Sequence, residues 1–92
     1  MPTRARVEEV LRYLGLEGSE MLEQLRQEGL FEEEWLEPDD AEELRVAASL
    51  IRELGVNPAG VEVVLHMRRR MLALEELMGR SLRRLLSELE DM

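Results

Sequence analysis

Cysteine is missing from the 92 residues, which excludes a disulfide framework, a thiolate metal site and a thiol nucleophile, and points to a reducing cytoplasm. Histidine occurs once, at His66, so no imidazole cluster can gather a metal ion. Ser19, Ser49, Ser81 and Ser87 have no neighbouring base with which to build a nucleophilic triad. The chain also lacks the acidic pattern of an EF-hand loop and the glycine run of a phosphate cradle. Uncharged apolar runs last only a few residues, and no basic stretch followed by an apolar one opens the chain, so neither a membrane span nor a targeting segment is expected. Enzymatic activity, a cofactor and a bound metal are not expected either. Aromatics are reduced to Tyr13, Phe31 and Trp35 while Leu, Val, Met and Ala fill the apolar set, which suits helix packing better than strand pairing. The expectation is an all-α fold.

A chain this short forms one domain and buries a modest share of its unfolded surface, so self-association would add stability. Its charge is unevenly placed. Residues 1–57 hold six Arg against fifteen Asp and Glu, whereas residues 58–92 balance six Arg against six acids, so the whole formal charge of −9 resides in the first part. An acidic head over 1–57 should repel phosphate backbones and attract basic protein surfaces. All twelve basic residues are Arg.

Val7, Val10, Leu11 and Leu14 recur at helical spacing and Gly15 follows as a stop, which predicts a first short helix over Val7 to Leu14. Ser19 is the candidate N-cap of a second helix, with Met21, Leu22 and Leu25 on one face and Gly29 at its end. The pair has the outline of a helix-turn-helix. From Leu30 to Pro38 a connector carries Glu32, Glu33 and Glu34 between apolar residues that can fold back and pin it, Trp35 among them. Asp40 and Glu43 have capping-box spacing and predict the start of a third helix, whose residues Leu44, Ala47, Ala48, Ile51 and Leu54 form a stripe ended by Gly55.

Asn57 as N-cap and Pro58 at the first helical position then open a long C-terminal helix over 58–92, in which no further proline intervenes. Such a helix is about 50 Å long, more than so small a body can cover. Its seam runs Val64, Met67, Met71, Leu74, Met78, Leu82, Leu85 and Leu89, with two consecutive steps of four around Gly79. A second stripe includes Val61, Leu65, Leu72, Leu77 and Leu86. Part of this surface should pack on the head, and the distal part, Met71, Leu74, Met78, Leu82, Leu85 and Leu89, on another copy in a coiled-coil homodimer. Arg68, Arg69 and Arg70 point in directions about 100° apart, a collar rather than a groove-reading face, and are expected to pair with Glu75, Glu76 or the acidic head.

The stretch Glu53-Leu54-Gly55-Val56-Asn57-Pro58-Ala59-Gly60-Val61, preceded by Leu50-Ile51-Arg52 and followed by Val63-Val64-Leu65, resembles the helix-turn-helix proteins of the MerR class, specifically their small chaperone-modulator (CbpM-type) branch. Upstream, Leu14-Gly15-Leu16, the short second helix, Gly29-Leu30, the aromatic connector with Trp35, and Asp39-Asp40 opening the third helix follow the same order. The resemblance covers roughly Val7 to Leu89 and implies a MerR-like helix-turn-helix head followed by a long helix. It also implies a protein that binds the J-domain of a DnaJ-like co-chaperone and regulates its cooperation with DnaK, itself a second candidate partner. J-domains present a basic helix, for which Glu20, Glu23, Glu28, Glu32, Glu33, Glu34 and Trp35 are the candidate contacts. DNA-binding relatives place Arg and aromatic residues on the second helix; here that helix offers only Arg26 among acids, so no DNA partner is expected. A MerR-like transcriptional regulator and an assembly factor bridging DnaK and DnaJ are the alternatives.

Overall fold

A computed structural model describes residues 3–18 and 20–91 of the chain. In chain order they form β1 (Ala5–Arg6), α1 (Val7–Tyr13), α2 (Met21–Gln27), β2 (Trp35–Leu36), α3 (Pro38–Leu54) and α4 (Pro58–Glu90). The fold is mostly helical, as the composition implies. The departure is a small antiparallel ladder in which Ala5 pairs with Leu36 and Arg6 with Trp35. A two-residue pairing has no periodicity to announce it; it forms where the entry to α1 runs beside the connector, and the Val7 N–H donates to the Glu34 carbonyl at 2.8 Å.

α1 contributes Val7 and Leu11 to the core and α2 contributes Met21 and Leu25, each pair one helical turn apart and on one face. The turns after both helices fold an apolar residue back inward. Leu16 donates to the Leu11 carbonyl at 2.8 Å and Leu30 to the Leu25 carbonyl at 3.1 Å, and both leucines are buried. The N-cap expected at Ser19 lies outside the described residues. Leu44 and Ala47 from α3, with Val61 and Leu65 from α4, are fully buried and close the core.

α3 begins earlier than the Asp40–Glu43 spacing predicts. Glu37 is its N-cap and Pro38 its first residue, and Asp40 occupies the third position, its Oδ2 accepting from the Glu37 N–H at 3.3 Å. Proline has its φ pre-set and no N–H to satisfy, so the helix nucleates there and the capping box slides back by one turn. Glu43 is thereby released from capping and is buried. At the other end Gly55 takes the left-handed conformation, φ 67°, as its place after the stripe implies. Leu54 is exposed rather than part of the buried stripe, because the chain turns away at Gly55 and no element covers that last turn.

The Asn57 side chain accepts from the Gly60 N–H at 2.7 Å, and α4 then runs unbroken through Gly79 to Glu90. One glycine costs a helix interior only about 1 kcal/mol, too little to break a helix carried by good formers on both sides. The head takes Val61 and Leu65 of the second stripe and leaves the seam residues Val64 and Met67 exposed. Leu72, Ala73 and Glu76 still line a groove with α3, and beyond them α4 projects from the head. The radius of gyration is 17.2 Å, against about 13 Å for a compact chain of similar length, and the projecting helix accounts for the difference.

Candidate functional site

Two surfaces carry the residues singled out in the sequence. The first is the outer side of α2 with its connector. Met21 and Leu25 anchor α2 inward, which turns Glu20, Glu23 and Glu28 to solvent. Arg26, the one cation of this helix, is committed to structure: its Nε donates to the Phe31 carbonyl at 2.9 Å and holds that residue at φ 53°, an unusual backbone for a bulky side chain. Phe31 in turn packs against the core. The connector is thus tied down at Phe31 and again at the ladder, with Glu32, Glu33 and Glu34 exposed between. Among the described residues Glu20, Glu23, Glu28, Glu32 and Glu33 form no ion pair, whereas Glu34 lies 3.8 Å from Arg6 Nε. Trp35 is 41 % exposed. Its ring carries the guanidinium carbons of Arg4 and Arg6 at 5.1 and 5.2 Å from the centroid, within cation–π range. Any partner reaching Trp35 meets a ring already shared with two cations.

The second surface is the projecting part of α4. Met71, Leu74, Met78, Leu82, Leu85 and Leu89 are each between 51 % and 59 % exposed, and Leu72, Leu77 and Leu86 beside them are also exposed. Together they form a long exposed apolar line on a solvated helix.

Between the two surfaces sits a joint that sequence reasoning located only in part. Arg69 donates from Nε and Nη2 to the two carboxylate oxygens of Glu43, both at 2.6 Å. The Glu43 side chain is nearly buried while that of Arg69 is half exposed. The carboxylate holds the Arg69 guanidinium above its ordinary pKa, chiefly through these hydrogen bonds. The Arg68–Arg70 collar therefore does meet the acidic head, through its middle member. Glu43 was concealed in the sequence because a capping role accounted for it.

A shallow apolar groove of about 490 Å³ between α1 and α3, lined by Ala5, Val10, Tyr13, Leu14, Pro38 and Ala41, has no counterpart in the sequence reading. Tyr13 is 90 % exposed at its edge, and Glu42 on its rim is held by Arg45 at 3.1 Å, a hydrogen bond that lowers the pKa of the exposed carboxyl. Among the described residues no three His, Asp or Glu side chains gather as a metal site, and no helix is long and apolar enough to cross a membrane. Comparison with family models, with curated proteins and with solved structures finds no match for the chain.

Proposed function

We propose that this chain is a non-enzymatic chaperone modulator that binds the J-domain of a DnaJ-like co-chaperone through the acidic outer side of its head, and so regulates the cooperation of that co-chaperone with DnaK. One observation carries the reading: within Glu20–Glu34 five carboxylates stand exposed and without an ion partner among the described residues. Unneutralised charge on a folded, tied-down segment favours encounter with a surface of opposite sign and opposes phosphate. The motif resemblance supplies the basic surface, that of a J-domain. The same geometry speaks against DNA reading, since the lone Arg26 is used internally. In this reading α1 and α2 form a MerR-like helix-turn-helix, and the seam of α4 joins two copies as a coiled coil.

Titration of a purified J-domain into the protein at rising salt tests the proposal. Binding at low salt that weakens steadily as salt is added is the expected result; no binding at low salt would overturn it.

A further inference from the structure

From the surroundings of Trp35 we infer that its ring is a seat for an arginine side chain, held in the free protein by Arg4 and Arg6 and taken over by an arginine of the basic partner on binding. The inference rests on the head being the recognition surface proposed above. It adds the side chain that surface selects, which net charge does not determine.

The ladder register builds the seat. Arg6 stands opposite Trp35, while Leu36, the next residue, goes into the core. Side chains alternate along extended backbone, so Trp35 and Arg6 face outward, and Arg4, two residues before Arg6, returns to the same side. Their guanidinium carbons lie 5.1 Å (Arg4) and 5.2 Å (Arg6) from the ring centroid. Of the six Arg in residues 1–57, Arg12 and Arg45 lie against carboxylates and Arg26 and Arg52 donate to backbone carbonyls. The remaining two converge on this one ring. Arg4 forms no ion pair among the described residues, although Glu32 and Glu33 beside Trp35 are equally without one. A guanidinium therefore settles on the ring in preference to a solvated carboxylate.

Neither cation is locked in place. Both are exposed, and the segment is held by backbone pairing, including the Val7 N–H on the Glu34 carbonyl, so lifting a guanidinium off the ring breaks no ladder hydrogen bond. Trp35 also walls a cleft of about 220 Å³ shared with Glu32, Glu33, Asp40 and Glu43. Asp40 is engaged in capping and Glu43 by Arg69, which leaves Glu32 and Glu33 to an incoming cation. A planar guanidinium can stack on the indole and direct N–H groups to carboxylates at its edge; the ammonium of lysine is a point charge with no plane to stack. The site thus favours arginine over lysine at equal charge, and Arg4 competes for it from within the chain.

The unmodified protein, Arg4→Gln, Trp35→Leu and the variant carrying both are titrated calorimetrically with hexa-arginine and hexa-lysine peptides. Equal peptide charge makes the ratio of the two affinities insensitive to steering. Arg4→Gln should raise the preference for the arginine peptide by about 2- to 5-fold, the range of one exposed cation–π contact, and the rise should vanish when Trp35→Leu is present. An equal gain for both peptides, or a rise that survives Trp35→Leu, overturns the inference. Trp35 is the only tryptophan, so acrylamide quenching of the free protein reports the ring directly. Quenching should increase in Arg4→Gln; unchanged quenching overturns the internal competition whether or not Trp35→Leu folds. A J-domain titration separates this inference from the reading beneath it. Binding that Arg4→Gln tightens supports both, and binding that it leaves unchanged overturns use of the seat by that partner. No J-domain binding, with the arginine preference present, overturns the proposed function and leaves the seat standing.

Discussion

Glu43 and Arg69 show how much one side chain can depend on where a helix begins. Because α3 starts at Pro38, the fourth carboxylate of its first turns, Glu43, is turned inward and needs a cation, and α4 supplies one. Arg69→Met should destabilise the protein by about 1–3 kcal/mol, since a buried carboxylate then loses its donors. Replacing both residues with Met should cost less than Arg69→Met alone, because no buried charge remains. Urea unfolding of the single and double variants measures the difference, and a double variant weaker than Arg69→Met would contradict the role given to Glu43. The pKa of Arg69 is raised by this partner, so its stabilisation is complete below the ordinary Arg range and is lost only as pH climbs through the raised value; moderately alkaline solution should leave it intact. Gly60 offers a second test. Helix propensity alone favours Gly60→Ala by about 1 kcal/mol, yet a Cβ there would approach Val56 Cγ1 to 2.8 Å and the capping Asn57 Oδ1 to 3.1 Å. A β-branched neighbour yields little, so the substitution should lower the melting temperature. A rise would show that the cap adjusts. The cap itself was legible in Asn57-Pro58; the tight fit around Gly60 was not, because close approach leaves no mark on a sequence.

Each of the four helices announces itself through apolar period and stop residues, and the ends set by Gly15, Gly29 and Gly55 lie where those glycines imply. Gly55 is the clearest case: at φ 67° any side chain is strained, and Gly55→Ala should cost about 1 kcal/mol or more in thermal or urea unfolding. The start of α3 was misplaced because two overlapping acidic patterns fit a capping box and only the proline distinguishes them. The β1–β2 ladder was hidden because its two strands are too short to alternate. On α4 the seam was legible over its whole length, but the part that the head covers was not. Val61 and Leu65 go inward while Val64 and Met67 stay out, a choice made by the entry angle at Asn57 rather than by hydrophobicity. Leu82→Glu with Leu85→Glu should give monomers by sedimentation while far-ultraviolet dichroism and urea unfolding still report a folded head, since neither residue touches the core.

For the whole molecule, charge placement matters more than total charge. In the proposed reading, an acidic head and a balanced helix put recognition at one end and self-association at the other, so losing the dimer should not abolish partner binding by one head. Duplex DNA should not bind at physiological salt, because counterion release needs several clustered cations and α2 supplies one, already used; a sequence-specific footprint at sub-micromolar affinity would contradict this. If the proposed function holds, DnaK ATPase stimulation by the co-chaperone separates inhibition from assembly, and a modulator competing for the J-domain predicts a decrease. The central claim is that exposed carboxylates of the head steer a basic J-domain. Its most direct test is to titrate a J-domain against the protein and against a Glu20→Lys, Glu23→Lys, Glu28→Lys variant across a range of salt concentrations. The account predicts slower association and a flatter salt dependence in the variant, with the fold retained; unchanged affinity with an unchanged salt slope would contradict it.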